Sequence, residues 1–406
     1  MARADALAAM RIALLVDCYP PSKKSAAKLA QDLAQEFVAL GHGVLVVTAD
    51  DALSEPFLVE TNGALSVCRV RTGQIKGANK VQRAINEISL SRTIWRAAGS
   101  FLKEHPCDLI VYYSPTIFFG ALVARLKRLW HARTYLVLRD IFPDWALEVG
   151  QLRKGPIYYL FKDYERRNYQ AADRIAVQSP ANLGYLQKRA DVGAKLEVLF
   201  NWTASELPPK RPTAFRSALG LEGKFVFFYG GNIGVAQDMD NILRLAQSLR
   251  SRSEAAILLV GEGSEYARLE MAIRERALGN VKLLPSVGQD EYLQMLQEFD
   301  AGLITLHPGL KSANIPGKLL GYLQCAMPTV ASVNSGNDLV QVLQESGAGL
   351  VSLNPDDSSF LKNCLMLLDD AAMREKMRVA SQRLLLERFH VRSAAEQILR
   401  SMADHT

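Results

Sequence analysis

The chain has 406 residues, too many for a single hydrophobic core and enough for two domains of ordinary size. An apolar fraction of 49% and a charged fraction of 22% are those of a water-soluble globular protein and argue against a disordered or collagen-like chain. The net charge is a modest +6, and the five cysteines (18, 68, 107, 325 and 364) form no CxxC pair, which argues against a disulfide framework or a zinc site and fits a reducing cytosol.

Arg3, Asp5 and Arg11 interrupt any signal-peptide pattern at the start. Residues 12–16 predict a short apolar strand. Leu29, Leu33, Phe37 and Leu40 then recur at helical spacing, Gly41-His42-Gly43 ends that helix, and 44–48 is the next strand. Further strands are predicted at 65–70, 109–112, 135–138, 174–177 and 196–199. The apolar run 109–123 holds Pro115 and lies between Asp108 and Arg125, so it reads as a buried strand and helix, short of the roughly 18 residues of a membrane span. Between Lys76 and Lys103, six cations face the single acid Glu87, and Arg125, Lys127, Arg128 and Arg133 follow. Solvated helix faces explain such runs. A sharper reading is a basic surface that docks on anionic lipid, with Ile94, Trp95 and Phe101 as apolar anchors. No nucleic-acid module accompanies the charge.

Around 204–212 the chain turns polar, with Pro208, Pro209 and Pro212, and this is the linker candidate. Alternation restarts with strands at 225–229, 256–260, 281–284, 301–306 and 329–332, and residues 371–402 read as a long helical tail. Two strand–helix series predict two doubly wound α/β domains whose binding loops lie at the strand carboxyl ends, facing a central cleft. The most informative stretch is Tyr229-Gly230-Gly231-Asn232-Ile233-Gly234. It follows the apolar strand 225–228 and precedes a helical pattern from Met239, which presents backbone N–H groups to an anion.

In this order and spacing, several segments resemble glycosyltransferase family 4, the retaining GT-B enzymes, over nearly the whole chain. They are Cys18-Tyr19-Pro20-Pro21 before the first helix; Tyr164-Glu165-Arg166-Arg167-Asn168-Tyr169 with Ala172-Asp173-Arg174-Ile175; Leu199-Phe200-Asn201-Trp202; and Leu259-Val260-Gly261-Glu262-Gly263. Within the family the chain is most similar to bacterial O-antigen and capsule transferases of the N-acetyl-L-fucosamine transferase type. That likeness rests on Gly231-Asn232-Ile233-Gly234 with Gln237, Arg139-Asp140-Ile141-Phe142-Pro143-Asp144-Trp145, Ile315-Pro316-Gly317-Lys318 and Gly336-Asn337-Asp338-Leu339.

The resemblance implies an acceptor domain over 1–205, a nucleotide-sugar domain over 206–385, and a C-terminal helix, 386–406, crossing back to the first domain. It implies transfer of a sugar such as N-acetyl-L-fucosamine from a UDP donor to a polyprenyl-diphosphate-linked saccharide, by a cytoplasmic enzyme peripheral to the inner face of the membrane. Retention in this family needs no protein nucleophile, since the leaving phosphate takes the acceptor proton. Three departures stand out. The family's acidic pair would fall on Ala313 and Gly321, its early glycine pair reads Lys24-Ser25, and its His-Asp reads Arg139-Asp140.

For the donor, Gly230, Gly231, Gly234 and Gly261 allow close backbone approach to a diphosphate, and Asn232 and Gln237 offer neutral donors. A fixed cation stabilises the leaving group most in the transition state, and Lys318 is the first candidate, Lys311 the second; a solvated lysine is the plain reading of either. Asp140, just after a strand, is a candidate to orient the acceptor, with helix capping as its plain reading. Asp144 is weighed evenly between the two. Arg139 is a phosphate ligand or Asp140's partner, and Lys23, Lys24 and Ser25 are placed near the acceptor. Glu165 reads as helix packing. Asp238 and Asp240 read as capping residues, not a metal–diphosphate site, and no metal or other cofactor is expected. A GT-B sugar-nucleotide epimerase and a non-catalytic sugar-nucleotide-binding protein are the competing readings.

Overall fold

The computed structural model describes residues 8–22, 25–73, 80–114, 116–148, 150, 152–189, 192–207, 215–310 and 314–403. It divides into two compact units, Met1–Phe200 with Val391–Thr406, and Asn201–His390.

The first unit is built on eight strands: β1 (Arg11–Val16), β2 (Gly43–Asp50), β3 (Phe57–Asn62), β4 (Leu65–Arg71), β5 (Leu109–Tyr113), β6 (Arg133–Leu138), β7 (Arg174–Val177) and β8 (Leu196–Val198). They lie in the order β3-β4-β2-β1-β5-β6-β7-β8, and all neighbours run parallel except β3 and β4. Continuous apolar runs such as Ile12 to Val16 and Leu109 to Tyr113 are buried along their whole length, as a sheet covered by helices on both faces requires. The sequence reading misses β3. Its polar end, Glu60-Thr61-Asn62, has no apolar run, and only Phe57 and Val59 turn toward the core. Gly63, at φ +58°, opens the tight turn that pairs it with β4.

The second unit holds six parallel strands: β9 (Phe225–Asn232), β10 (Ala255–Glu262), β11 (Val281–Leu284), β12 (Ala301–Thr305), β13 (Thr329–Val333) and β14 (Gly349–Leu353), in the order β11-β10-β9-β12-β13-β14. β9 runs three residues beyond the expected strand. Gly230, Gly231 and Asn232 pair in register with Val260, Gly261 and Glu262, so two of the glycines read as a turn are strand residues.

The tail is not one helix. Helix Ala371–Leu384 passes into a single π-helical segment, Leu385–Phe389, and a new helix, Val391–Ala403, begins after His390. The break is held from residue 203: the Thr203 N–H donates to the Phe389 carbonyl (2.9 Å), and Thr203 bridges to His390. Residues 201–203 therefore belong to the second unit, and part of the expected linker, 208–212, lies outside the described residues. The last helix packs on the first unit. Gln397 donates to the Val198 carbonyl (2.8 Å), Ser401 donates to Glu197 Oε2 (2.6 Å), and Ile398 and Leu399 are buried.

The anchors read from 94–101 face inward. Ile94 is fully buried, Trp95 lies under the Arg125 guanidinium (3.8 Å to the ring centroid), and Phe101 stacks on His105 (4.1 Å). The helix Lys80–Glu104 turns these side chains to the core, so its cations have no apolar anchors beside them.

Ile398→Ala removes fully buried apolar volume and lowers the stability of the first unit by about 2–4 kcal/mol. Urea unfolding followed by proteolysis, with fragments assigned to each unit, checks that the loss falls on residues 1–200.

Candidate functional site

In the second sheet the chain runs from β9 outward through β10 to β11, then returns to β12 on the other side of β9 and proceeds through β13 to β14. The direction of winding switches between β9 and β12, and ligands of open parallel sheets bind at the carboxyl ends of strands at such a point. β9 and β12 pair only through Ala301–Phe227 and Gly302–Phe228 among the described residues. Tyr322 spans the junction, its hydroxyl within hydrogen-bond distance of the Phe228 (3.2 Å) and Leu303 (3.0 Å) carbonyl oxygens. A Cβ at Gly302 would stand 2.5 Å from that ring, so the small residue lets Tyr322 seat.

Tyr322 lies on the short helix Lys318–Gln324, and seating it fixes Lys318 at the helix start. Lys318 Nζ sits 4.5 Å above the Tyr229 ring and 3.5 Å from where a Cβ at Gly231 would stand. Gly231 has φ +120°, a conformation that favours glycine. Its partner across the ladder is equally constrained, because a Cβ at Gly261 would lie 1.9 Å from the Gly231 carbonyl oxygen. Lys318 is half-buried, and no carboxylate pairs with it among the described residues. Burial pushes its ammonium down to about 8 from the ordinary 10.5. A cation–π contact offsets part of that cost but brings no countercharge.

The other donor candidates surround this point. Asn232 donates to Gln237 (2.7 Å), so the two amides brace one another across buried Gly234. Lys311 and Ala313 lie outside the described residues. The flanks of that segment are braced by buried asparagines that the sequence reading passed over: Asn334 donates to the Leu310 carbonyl (2.9 Å) and Asn337 to that of Asn314 (3.4 Å). The late Asn337 motif was the visible signal. At Gly321, a Cβ would stand 3.1 Å from Tyr292 Cε1 and 3.2 Å from Leu296 Cδ1. Tyr292 thus occupies the space that an acidic side chain at 321 would need.

Two capping assignments are corrected. Asp238 holds the N-cap position of helix Met239–Ser248, but at φ +46° its carboxylate makes no cap bond and accepts from Asn354 Nδ2 instead (2.8 Å). Asp240 lies inside the first turn, where an acid suits the helix dipole, and pairs with Arg268 (3.0 Å). His307 is held within its own loop, its Nδ1 accepting from the Gly309 N–H (3.0 Å).

In the first unit, Arg139 and Asp140 follow β6 at the carboxyl edge of the sheet. Tyr113, the last residue of β5, is hydrogen-bonded by Arg139. Burial pushes the Tyr113 phenol up to about 12, and the nearby guanidinium opposes the shift. Burial also raises the Asp140 carboxyl above its ordinary range, again against Arg139. Arg139 is thus Asp140's partner, and capping does not describe Asp140: helix Asp144–Glu148 begins four residues later. Asp144 is not a cap either. It is the first helical residue, and its carboxylate accepts from Tyr158 (2.9 Å), Lys162 (3.1 Å) and Tyr185 (3.2 Å). Lys162 also pairs with fully buried Glu165, which Arg189 joins from the other side (3.0 Å), so Glu165 organises packing as expected. Lys23, Lys24 and the Ser25 side chain lie outside the described residues.

Sequence reasoning missed Asp17, one residue past β1. It lines a cavity of about 340 Å³ at the carboxyl ends of β1, β2 and β4, with Tyr19, Asp50, Asp51, Arg69 and Thr72. The strand-end position of an acid was the available signal. A smaller cavity of about 120 Å³, lined by Arg11, Gly43 and Cys107, lies at the amino ends of the strands, where parallel sheets do not place ligands.

Comparison with known proteins follows this geometry. Residues 26–202 match the glycosyl transferase 4-like domain, and residues 211–383 match glycosyl transferases group 1. The chain is 25% identical over 341 residues to the putative colanic acid biosynthesis glycosyl transferase WcaI of Escherichia coli (strain K12), covering 80% of this chain and 83% of that one. Among solved structures it is similar to sucrose-phosphate synthase from Thermosynechococcus elongatus, with a TM-score of 0.71 and 16% identity over 97% of this chain and 98% of that one. It is also similar to Anabaena Alr3699/HepE in complex with UDP and glucose, with a TM-score of 0.67 and 16% identity over 97% of this chain and 100% of that one. With two successive family matches spanning most of its length and a Rossmann-like sheet under each, the chain belongs to the nucleotide-sugar-dependent glycosyltransferases of the GT-B fold.

Proposed function

We propose that the protein transfers a sugar from a UDP donor to a polyprenyl-diphosphate-linked saccharide, with retention of configuration, in the assembly of a bacterial surface polysaccharide. The sugar fits the N-acetylated deoxyhexose class, with N-acetyl-L-fucosamine as the named candidate. The observation that carries the reading is Lys318: a half-buried cation without a carboxylate partner, beside Gly231 at the switch point of the second sheet. Such a charge is compensated by an anion, and the end of β9 allows a diphosphate to come close. Support for the pathway comes from WcaI, described as acting in colanic acid biosynthesis, and support for the uridine nucleotide from HepE, solved with UDP.

In this reading the second unit receives the donor. Lys318, rather than a metal ion, faces the diphosphate, and its charge counts most as the bond from the sugar to the phosphate oxygen breaks. Gly230 and Gly231 leave room at the strand end for the phosphates, and the braced pair Asn232–Gln237 lies alongside. A bond forms from the acceptor hydroxyl to the same sugar carbon, and the hydroxyl proton passes to the departing phosphate oxygen. The first unit receives the acceptor. Asp140 accepts a hydrogen bond from the acceptor hydroxyl, Arg139 holds that carboxylate, and the cavity beside Asp17 and Tyr19 takes the remaining sugars. The enzyme works at the cytoplasmic face of the membrane that holds its acceptor. Among the described residues no helix is long and apolar enough to cross it. Neither the epimerase nor the non-catalytic reading gains support from these observations.

Two measurements test the assignment. Lys318→Met lowers UDP affinity in calorimetry by about 10- to 100-fold, the range of a charge-assisted hydrogen bond. Since the free protein holds this ammonium with a pKa of about 8, UDP binding takes up a proton above that pH. Wild-type affinity then falls with rising pH, approaching about tenfold per unit, while the variant stays flat. The same group acts on folding with the opposite slope. Between about 8 and the ordinary 10.5 the unfolded chain binds the proton more tightly, so this residue's contribution to stability rises with pH there. Unchanged UDP affinity in Lys318→Met overturns the donor assignment. Asp140→Asn cuts kcat about 100-fold or more and leaves the dissociation constant of UDP unchanged. Equal loss of donor binding and turnover would place Asp140 elsewhere.

A further inference from the structure

Four large apolar side chains of the first unit stand exposed at one corner. On helix Pro156–Ala171, Ile157 is 61% exposed, Tyr159 63% and Leu160 46%. Tyr185, on helix Pro180–Gln187, is 46% exposed and reaches the same corner, because its hydroxyl and that of Tyr158 meet on Asp144. The opposite face of the first helix is spoken for: Glu165, Asn168 and Tyr169 are buried, and Phe161 and Tyr164 pack against the core. The apolar row is therefore a second face, not the edge of the core face.

The charges around this row have one sign. Arg153 and Lys154 are exposed just ahead of the helix, and Lys188 is exposed at the end of the neighbouring one. The nearby acids are matched. Lys162 takes both Asp144 and Glu165, Arg189 joins Glu165, and Asp163 is shared by Arg166 (2.6 Å) and Arg167 (2.7 Å). Burial and the Asp144 carboxylate together push the Tyr158 phenol up to about 12, so no phenolate adds negative charge there. An aliphatic and aromatic row within a cationic rim is the composition of a surface that enters the boundary between headgroups and acyl chains. The cations add attraction to a negative surface, and their stems add apolar cover.

We propose that this face, centred on Ile157, Tyr159 and Leu160 with Arg153, Lys154 and Lys188 at its rim, seats the first unit on an anionic lipid bilayer. It takes the place of the anchors at 94–101, which are turned to the core. The proposal rests on the lipid-linked acceptor of the preceding reading in one respect: an acceptor of that kind is held in a membrane.

The test uses the full chain with vesicles of phosphatidylcholine, alone or mixed with phosphatidylglycerol. The wild type sediments with the anionic vesicles, less so as salt is raised, and not with the neutral ones. The double variant Ile157→Glu/Leu160→Glu lowers the partition coefficient by about tenfold or more, and Arg153→Glu/Lys154→Glu does the same. Both keep the melting temperature, since the substituted side chains are exposed, and both keep UDP affinity. Wild-type protein that ignores anionic vesicles, or variants that bind them as well as wild type, overturns the proposal. So does a wild-type dimer that Ile157→Glu/Leu160→Glu disperses in light scattering, which makes the row a self-association face. Loss of vesicle binding in both variants alongside a wild type that fails to bind UDP sustains the docking face and sinks the donor reading instead.

Discussion

The placement of one ammonium organises the second unit. Lys318 is half-buried over an aromatic ring with no carboxylate beside it, and the depression of its pKa toward 8 corresponds to a cost on the order of 3 kcal/mol. A fold keeps such a cost where the charge meets something the free protein lacks. The neighbouring features serve the same end. Tyr322 clamps the two strands where their own pairing has run out, Gly302 lets that ring seat, and the short helix thereby holds its first residue at the end of β9. The glycines act differently from a phosphate-cradling turn. Gly230 and Gly231 continue the ladder, and Gly261 lets the two strands approach. They leave a bare strand end in front of Lys318.

Much of this was open to a reader of the sequence, and the failures have physical reasons. Strands buried on both faces announce themselves as continuous apolar runs, so the central strands of both sheets were legible, and with them the doubly wound class. An edge strand such as β3 needs only two inward side chains and carries polar residues elsewhere, so its pattern is too thin to stand out. Lys318 was legible from its Pro-Gly approach, but its isolation from acids was not, because that depends on which side chains the fold brings near. Asp238 was misread because capping assumes an extended backbone at the cap, and this residue is left-handed. The tail was read as one helix because helical periodicity persists through the break at 385–390. What interrupts it is a pairing with Thr203, nearly two hundred residues away in sequence, which no local window reveals.

The motif Arg139-Asp140-Ile141-Phe142-Pro143-Asp144 places two carboxylates four residues apart and treats them in opposite ways. Asp144 receives two phenols and an ammonium, and that ammonium also serves Glu165, so its charge is spread over a network tying two helices together. A carboxylate so saturated has no strong bond left for an incoming hydroxyl. Asp140 is raised by burial, with Arg139 the cation that opposes the shift, and Arg139 is itself shared with the Tyr113 phenol. Its charge is therefore under-compensated, and an added hydrogen bond lowers its energy more than it lowers that of Asp144. Identical side chains on one short segment are thus sorted by environment into a structural tie and a reactive acceptor. The same logic sorts the cations of the second unit: Arg268 and Arg216 sit in matched ion pairs, while Lys318 is left for the ligand. In both units the candidate residue is the one whose charge the fold has declined to satisfy.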